Sequence, residues 1–303
     1  MSFRVVVPAS SANMGPGFDS MAIALSRYMS ITVEPGSDGD SANAQQDQLT
    51  DGRDMVTYAM QYLADSVGRT LPPASVRSRS DIPVARGMGS SAAALVGGML
   101  AGNQLLGEPL GNKELLQLAS HVEGHADNLA AALFGGAVLA VPVSSGHITV
   151  ELDINMELSA AVLIPKQIGF TTDARAVVPT QVDRADAVYN ASRCALLVHA
   201  LSTGCPELLG DAMQDRWHQP YRSALYSHMD SVIAAARGAG AYGASLSGSG
   251  PTILALCHPR KSATVAEAMK HAADRHDVDC SAEVVTIDTA GAQILGLKKR
   301  SIG

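Results

Sequence analysis

The segment of residues 83–95, PVARGMGSSAAAL, has the composition of a phosphate-binding turn. Gly87 and Gly89 flank one apolar residue, and glycine tolerates positive φ and close approach of a ligand to the backbone. Ser90, Ser91 and the alanines that follow are typical of a helix start. Such a start presents unpaired N–H groups and the positive end of the helix dipole. The segment therefore predicts a phosphate site; the alternative is a plain turn before a buried, alanine-rich helix.

Two other phosphate-binding motifs fit this segment poorly. A Walker-type loop requires Gly-Lys-Ser/Thr, and the sequence contains no Gly-Lys pair. A dinucleotide fingerprint on Gly87, Gly89 and Ala92 should follow a buried parallel strand. Pro83 interrupts the preceding segment and removes a ladder donor, which argues against that motif.

The composition limits the kinds of partner. A chain of 303 residues at 47% hydrophobic can bury a sizeable core, and its length predicts two domains. A net charge of −7 and a pI near 5.7 argue against nucleic acid or an anionic membrane as the main partner. The four cysteines lack CxxC spacing, and neither a signal peptide nor a membrane-length apolar run is found. These features predict a cytoplasmic protein with reduced thiols.

Strand-like and helix-like segments alternate along the chain, which predicts an α+β fold with two sheets. A change of pattern divides the chain into domains at residues 1–156 and 157–303, without a long linker. The segment 35–50 predicts a surface loop. Strands are predicted at 3–8, 28–34, 76–82, 137–143, 148–154, 158–165, 252–256 and 282–288. Helices are predicted at 54–66, 91–106, from the cap Asn112 onward, 127–134, 185–201, 221–237 and 261–271.

Three segments rich in small residues, at 8–19, 83–93 and 243–251, are interpreted as loops. Their sequences PASSANMGPGFD, PVARGMGSSAA and LSGSGPT, in this order, resemble the three motifs of the GHMP small-molecule kinases. The further segments EGHADN, GFTTDAR and QPYR are similar to those of the branch that phosphorylates the amino acid L-homoserine. The resemblance extends over nearly the whole chain.

The resemblance implies a fold and a reaction. The expected fold has an N-terminal domain like the second domain of ribosomal protein S5 and a ferredoxin-like C-terminal domain. The active site is expected in the cleft between them. The implied reaction transfers the γ-phosphoryl group of ATP, with Mg²⁺, to the hydroxyl of L-homoserine for threonine biosynthesis. A homodimer is also expected.

The resemblance also assigns nucleotide and metal residues. The third motif contributes Ser247, Gly248 and Gly250. Ser91 and Glu123 are expected to hold Mg²⁺, which takes oxygen ligands and keeps several waters. The expected nucleotide contacts of the second motif are Pro83, Arg86, Gly87, Met88, Gly89, Ser90, Ser91, Ala92 and Ala93.

The implied substrate site suits an amino acid. Arg175 and Arg222 could each grip a carboxylate with two hydrogen bonds. Asp127 and Asn128 are placed near the reacting hydroxyl. Either Asp127 acts as a base, or catalysis needs none and Asn128 orients the hydroxyl; the residues leave both open. The expected substrate residues are Asn13, Asp19, His125, Thr171, Arg175 and Arg222.

Other interpretations remain at particular residues. His121 and His125, at i and i+4, could be zinc ligands, but Glu123 falls off the face that a metalloprotease base would need. Asp54 stands where the family usually has asparagine near the adenine pocket, and a carboxylate cannot donate as an amide does. A helix N-cap is its alternative role.

Other functions of the same fold also remain open. The chain could be a GHMP kinase for a mevalonate-type or sugar substrate. It could also be a non-catalytic sensor, although the presence of Ser91, Glu123 and Asp127 argues against that.

Overall fold

The computed structural model describes residues 1–36 and 54–297, so the predicted loop at 35–50 lies almost wholly outside the described residues. The strands are β1 Phe3–Asn13, β2 Gly17–Pro35, β3 Ala74–Ser80, β4 Ala137–Val143, β5 Gly146–Leu152, β6 Ser159–Pro165, β7 Gly243–Leu246, β8 Ile253–Cys257, β9 Cys280–Thr286 and β10 Gln293–Gly296. The helices are α1 Met55–Ser66, α2 Ser90–Leu105, α3 Asn112–Glu123, α4 Asp127–Phe134, α5 Thr171–Ala176, α6 Arg184–Thr203, α7 Leu209–Ala212, α8 Gln219–Arg222, α9 Met229–Gly238 and α10 Ser262–Asp274. The predicted α+β class with two sheets is confirmed.

The first sheet is antiparallel, in the order β10-β1-β2-β4-β5, with β3 paired to β2. Helices α2 and α4 pack on β1 and β2, and α1 packs on α2. As predicted for an almost uncharged apolar helix, α2 is buried on most faces, from Ala92 to Asn103. Its alanines and glycines allow this close packing because they add little volume.

The second sheet is also antiparallel, in the order β7-β8-β6-β9, and α9 and α10 pack against it. The predicted boundary between residues 156 and 157 falls between β5 and β6, which belong to different sheets. The last strand, β10, returns to the first sheet, where Ile294 pairs with Val5. The chain therefore crosses between the sheets twice, and the two domain ranges stay a prediction.

Several predicted elements differ from the structure. The segment 8–19 is not a loop: β1 continues to Asn13 and β2 begins at Gly17, and the small residues of these strands allow α2 and α4 to pack on them. Helix α3 is capped by Gly111 rather than by Asn112, and Glu114 accepts a hydrogen bond from the Gly111 amide. The short elements α5, β7 and β10 lack the length that makes periodicity visible in a sequence.

The predicted helix at 221–237 is wrong in the middle. Helix α8 ends at Arg222 and α9 begins at Met229. The intervening Tyr226 is buried and donates from its hydroxyl to the Ser249 carbonyl at 2.9 Å. Its tertiary contact holds the chain out of a continuous helix.

The part of the chain that the structure describes contains no helix long and apolar enough to cross a membrane. The thiols of Cys194, Cys205, Cys257 and Cys280 are free.

Candidate active site

A cleft opens where elements of both sheets meet. The turn before α2, the α3–α4 junction, α5, α8 and the β7–β8 turn surround it. Of the predicted site residues, those that line the cleft are Asn13, Asp19, Arg86, Gly87, Met88, Gly89, Ser90, Ser91, Glu123, His125, Asp127, Asn128, Thr171, Arg175, Arg222 and Gly248.

The N-terminus of α2 faces this cleft without a side-chain cap. Gly89 is the N-cap residue, in the left-handed region at φ 68°, and it has no side chain to accept from the first amides. Ser90 and Ser91 follow it along the wall of the cleft. Uncapped amides at the positive end of a helix make a site for an anion such as a phosphate.

The glycines of this turn are also required by contacts between the motifs. A Cβ on Gly89 would lie 2.1 Å from Ser10 Oγ, and one on Gly87 would lie 2.3 Å from the Ser247 carbonyl oxygen. The Ser10 amide donates to the Met88 carbonyl at 3.1 Å, and the Ser247 hydroxyl donates to the Gly87 carbonyl. The second motif therefore packs directly against the first and the third.

Ser91 and Glu123 bring two side-chain oxygens together beside the helix N-terminus. The Ser91 hydroxyl donates to Glu123 Oε2 at 2.8 Å, although the two residues come from different helices. Within residues 1–36 and 54–297, no group of three or more His, Cys, Asp or Glu side chains could hold a metal ion. A hydroxyl and a carboxylate suit a hard cation that takes its remaining ligands from water and phosphate.

His125, Asp127 and Asn128 form a hydrogen-bonded group at the start of α4. Asp127 is buried, and its Oδ1 lies 2.8 Å from His125 Nδ1. The same oxygen accepts from the backbone N–H of Asn128 at 2.7 Å. Burial lowers the pKa of His125, but the hydrogen bond to Asp127 and the charges of Asp127 and Glu123 outweigh it, so the pKa is raised. Asn128 Oδ1 accepts from the Ser10 hydroxyl at 2.8 Å, so its Nδ2 remains as a donor.

The zinc interpretation of His121 and His125 has no structural support. Helix α3 ends at Glu123, with Gly124 in the left-handed region. His121 and His125 therefore do not share a helix face, and His121 is exposed.

Arg175 and Asp19, which both line the cleft, bind each other. Two hydrogen bonds of 2.8 Å join the guanidinium to the carboxylate oxygens, and both side chains are more than one-third exposed. The guanidinium also lies over the Phe18 ring, 5.8 Å from its centroid. Asp19 raises the pKa of Arg175 against the opposing effect of burial. A cation and an anion thus stand side by side at the wall of the cleft.

Arg222 is a buried cation that lacks a carboxylate partner in the described part of the chain. Its Nε donates to the Ala174 carbonyl at 3.0 Å, and its Nη1 donates to the Gly248 carbonyl at 2.9 Å and to His218 Nδ1 at 3.2 Å. Arg222 Nη2 has no hydrogen-bond partner among the described residues. Burial, and then the charge of Arg175, lower the pKa of Arg222 to about 10, so the guanidinium is charged at neutral pH.

Some predicted nucleotide residues lie outside the cleft wall. Ala92 and Ala93 are fully buried in α2, and Ser247 and Gly250 pack against Gly87 behind the cleft. Pro83 lines a separate cavity between β2 and β9. Asp54 caps α1, because its carboxylate accepts from the amides of Val56 and Thr57. The cleft also contains residues of the quoted segments that are not among the predicted site residues: Ala12, Ala85, Gly169, Phe170 and Ser249.

The two sheets, the uncapped helix and the interlocking motifs define the class of GHMP small-molecule kinases. The family description "GHMP kinases N terminal domain" matches residues 54–136, and "GHMP kinases C terminal" matches residues 197–275. A homoserine kinase from Desulfitobacterium hafniense is 39% identical in an alignment of 296 residues that covers 96% of this chain and 99% of that protein. One from Deinococcus radiodurans is 43% identical over 265 residues, 86% of each chain.

A solved structure gives the same result. The crystal structure of homoserine kinase from Cytophaga hutchinsonii has a TM-score of 0.85 and 31% sequence identity, and the match covers 97% of both chains. A mevalonate kinase from L. major, at a TM-score of 0.65 and 17% identity, shares the fold. The chain belongs to the homoserine kinases.

Replacement of Gly89 by alanine should damage both the fold and the anion site. The new Cβ would meet Ser10 Oγ in a left-handed backbone, whereas a Cβ on Gly68, also left-handed at φ 63°, meets no atom within 4 Å. Gly68→Ala should therefore lose only about 1–2 kcal/mol of unfolding free energy, from backbone strain, and keep its affinity for ATP. Gly89→Ala should lose more and bind ATP weakly. Urea unfolding and calorimetry measure both quantities; equal losses and equal affinities would refute the close packing.

Proposed function

We propose that this protein catalyses ATP-dependent phosphorylation of L-homoserine at its side-chain hydroxyl, giving O-phospho-L-homoserine. The observation that carries the proposal is the buried Arg222, without a counter-ion among the described residues, in a cleft that also contains an uncapped helix N-terminus. A buried charge is stable only when it is paired and hydrogen-bonded. An anionic substrate would supply the missing partner.

The nucleotide end of the cleft is the turn before α2. We assign the phosphates of ATP to the amides of residues 87–91, where the helix dipole favours negative charge. Ser91 and Glu123 would hold Mg²⁺ there, since their oxygens are adjacent and of the type this ion prefers. When bound, the ion would neutralise charge on the phosphates.

The amino-acid end is the wall that carries the two arginines. Arg222 would bind the homoserine carboxylate through Nη2, and Arg175 would approach the same carboxylate. Asp19 would take the ammonium group, with Asn13 beside it; Asn13 Oδ1 already accepts from the Asp19 amide at 3.2 Å. A zwitterionic amino acid can therefore replace the ion pair between Arg175 and Asp19: its carboxylate would contact Arg175, and its ammonium group would contact Asp19. Thr171 and His125 complete this end of the cleft.

The reacting hydroxyl would lie at the start of α4. The Nδ2 group of Asn128 can donate to the hydroxyl oxygen, and the Asp127 carboxylate can accept the hydroxyl proton. Phosphoryl transfer depends mainly on positioning and charge neutralisation. The hydrogen bonds that Asn128 accepts from Ser10 and that Asp127 accepts from His125 fix these two side chains before substrate arrives.

We further propose that the enzyme acts in the cytoplasm, in threonine biosynthesis, as a homodimer. The free thiols are consistent with a reducing compartment.

The direct test is ADP release from ATP and Mg²⁺ with a panel of acceptors. L-homoserine should give the highest kcat/KM, and L-serine, L-threonine, mevalonate and galactose should give much lower values. The arginines and Asp19 match a zwitterion, whereas mevalonate and galactose lack an ammonium group. A preference for mevalonate or galactose would refute the homoserine assignment while leaving a GHMP kinase.

Glu123→Gln should remove metal-dependent turnover. The change keeps the shape of the side chain but removes the charge beside Ser91. The affinity for Mg²⁺ should fall by at least about 10–100-fold, the loss that weaker outer-sphere changes produce at metal sites. Titration of kcat with Mg²⁺ measures this, with Glu151→Gln, an exposed position on β5, as the matched control. Wild-type kcat and Mg²⁺ dependence in Glu123→Gln would show that this carboxylate does not bind the metal.

Arg222→Ala should impair homoserine use specifically. A substrate carboxylate left partly unpaired should lower kcat/KM by the equivalent of about 2–5 kcal/mol. Arg222→Lys should be a partial rescue, because lysine restores the charge but not the planar guanidinium. Affinity for ATP in the absence of homoserine should stay near the wild-type value.

The control substrate is 3-amino-1-propanol, which is homoserine without its carboxylate. Its turnover should fall much less in Arg222→Ala, because there the arginine has no group to bind. Arg237→Ala, an exposed arginine on α9, is the control variant. Equal losses for homoserine and 3-amino-1-propanol would make Arg222 structural.

A further inference from the structure

The buried residue His218 connects Arg222 to the turn between β1 and β2. Its Nδ1 lies 3.2 Å from Arg222 Nη1, and its Nε2 lies 2.8 Å from the Gly15 carbonyl oxygen. The ring is fully buried and stacks on Phe18, with 5.2 Å between the ring centroids. Phe18 also packs against the Arg222 guanidinium, 5.3 Å from the ring centroid. His218 therefore contacts the guanidinium of a cleft residue without lining the cleft itself.

The two hydrogen-bond partners of His218 determine its protonation state. The Gly15 carbonyl can only accept, so Nε2 must carry a proton. The guanidinium of Arg222 can only donate, so Nδ1 must be without one. Only the neutral Nε2–H tautomer satisfies both contacts. A proton on Nδ1 would set two donors against each other, 3.2 Å apart.

The charges around His218 act in opposite directions. Burial is the largest effect and lowers its pKa, and the charge of Arg222 lowers it further. Asp215, with its Oδ2 3.6 Å from Nε2, the hydrogen bond to the Gly15 carbonyl, and Asp19 act to raise it. Asp215 already accepts hydrogen bonds from the amides of Trp217, His218 and Gln219 and from the Asn190 side chain. Beyond the turn, Arg175 neutralises Asp19. The net result is a pKa below the ordinary 6.5.

We infer that His218 is a positioning residue: in its neutral form it accepts from Arg222 and holds the guanidinium ready for the substrate carboxylate, and its protonation removes that contact. This inference rests on the proposed function of Arg222 in homoserine binding. Since the protonated ring no longer accepts from Nη1, which then has only the Gly248 carbonyl as a partner, homoserine binding should weaken as the pH falls through the pKa of His218. Binding of ATP, at the other end of the cleft, should not follow that titration.

Two substitutions separate the contacts of His218. Asparagine places Oδ1 near the position of Nδ1, so His218→Asn keeps an acceptor for Arg222 and cannot be protonated. Glutamine places Nε2 near the ring Nε2, so His218→Gln keeps the donor to Gly15 and loses the acceptor. His218→Gln should raise the KM for homoserine on the order of tenfold, the effect of one buried donor without its partner. His218→Asn should raise it less and should lack the wild-type rise in KM at acid pH.

The matched control is His228→Gln. His228 is another buried histidine whose pKa is lowered mainly by burial, and its Nε2 lies 3.3 Å from the Pro251 carbonyl oxygen, away from Arg222. This variant should keep the wild-type KM and its pH profile. The inference would be overturned if His218→Asn, His218→Gln and His228→Gln changed the KM for homoserine equally. It would also be overturned if His218→Asn kept the wild-type rise in KM at acid pH.

A measurement on the unmodified protein tests the inference even if the variants fail to fold. Nitrogen-15 NMR of labelled histidines should show His218 as the neutral Nε2–H tautomer at pH 7 and still neutral somewhat below pH 6.5. A protonated ring or the Nδ1–H tautomer at pH 7 would overturn the inference. The NMR result does not depend on homoserine. A wild-type protein that fails to phosphorylate homoserine would therefore contradict the proposed function without deciding the tautomer of His218.

Discussion

The burial of the Arg222 guanidinium is the constraint on which the substrate site depends. Removing a charge from water is unfavourable unless hydrogen bonds or an opposite charge replace the hydration. Here two carbonyl oxygens and the ring of His218 satisfy Nε and Nη1, and the acceptors come from α5, the β7–β8 turn and the loop before α8. His218 in turn reaches Gly15. The arginine thus ties together the segments that form one wall of the cleft.

A second set of contacts joins the three glycine-containing segments at the other end. Gly87 and Gly89 lie so close to Ser247 and Ser10 that a side chain would not fit at either position. The first and third segments also bind each other directly, through the Gly248 amide and the Ala12 carbonyl at 3.1 Å. The nucleotide end therefore depends on contacts between the two sheets. A change in their relative position would alter the phosphate site and the substrate wall together.

Many residues that line the cleft lie in segments that the sequence singles out, but their roles were predicted only through the resemblance to the GHMP kinases and stay predictions. The segments with unusual glycine and serine spacing contain most of the residues that line the cleft, because backbone conformation and hydrogen bonding constrain the residue types there. The sequence indicates only one of the two reasons for the glycines. It predicts room for a phosphate, but it does not reveal that Ser10 occupies the space beside Gly89. Ala92 and Ala93 were selected by their place in the motif, yet the helix turns them into the core.

Other features depend on contacts between distant residues. The return of β10 to the first sheet follows from pairing across most of the chain, which no local pattern encodes. The break between α8 and α9 depends on Tyr226 and the Ser249 carbonyl. The hydrogen bonds of His218 are equally non-local, because Gly15 is distant in sequence. Local propensity and periodicity describe elements, and they leave these tertiary contacts undetermined.

The most direct measurement of the central claim is a crystal structure with L-homoserine and a non-hydrolysable ATP analogue. The account predicts that the homoserine carboxylate lies within hydrogen-bond distance of Arg222 Nη2, with His218 still bound to Nη1. It also predicts that the hydroxyl lies beside Asn128 and Asp127 and faces the terminal phosphate at the N-terminus of α2. A homoserine bound with its carboxylate away from Arg222, or an Arg222 that contacts only protein groups in the complex, would contradict it.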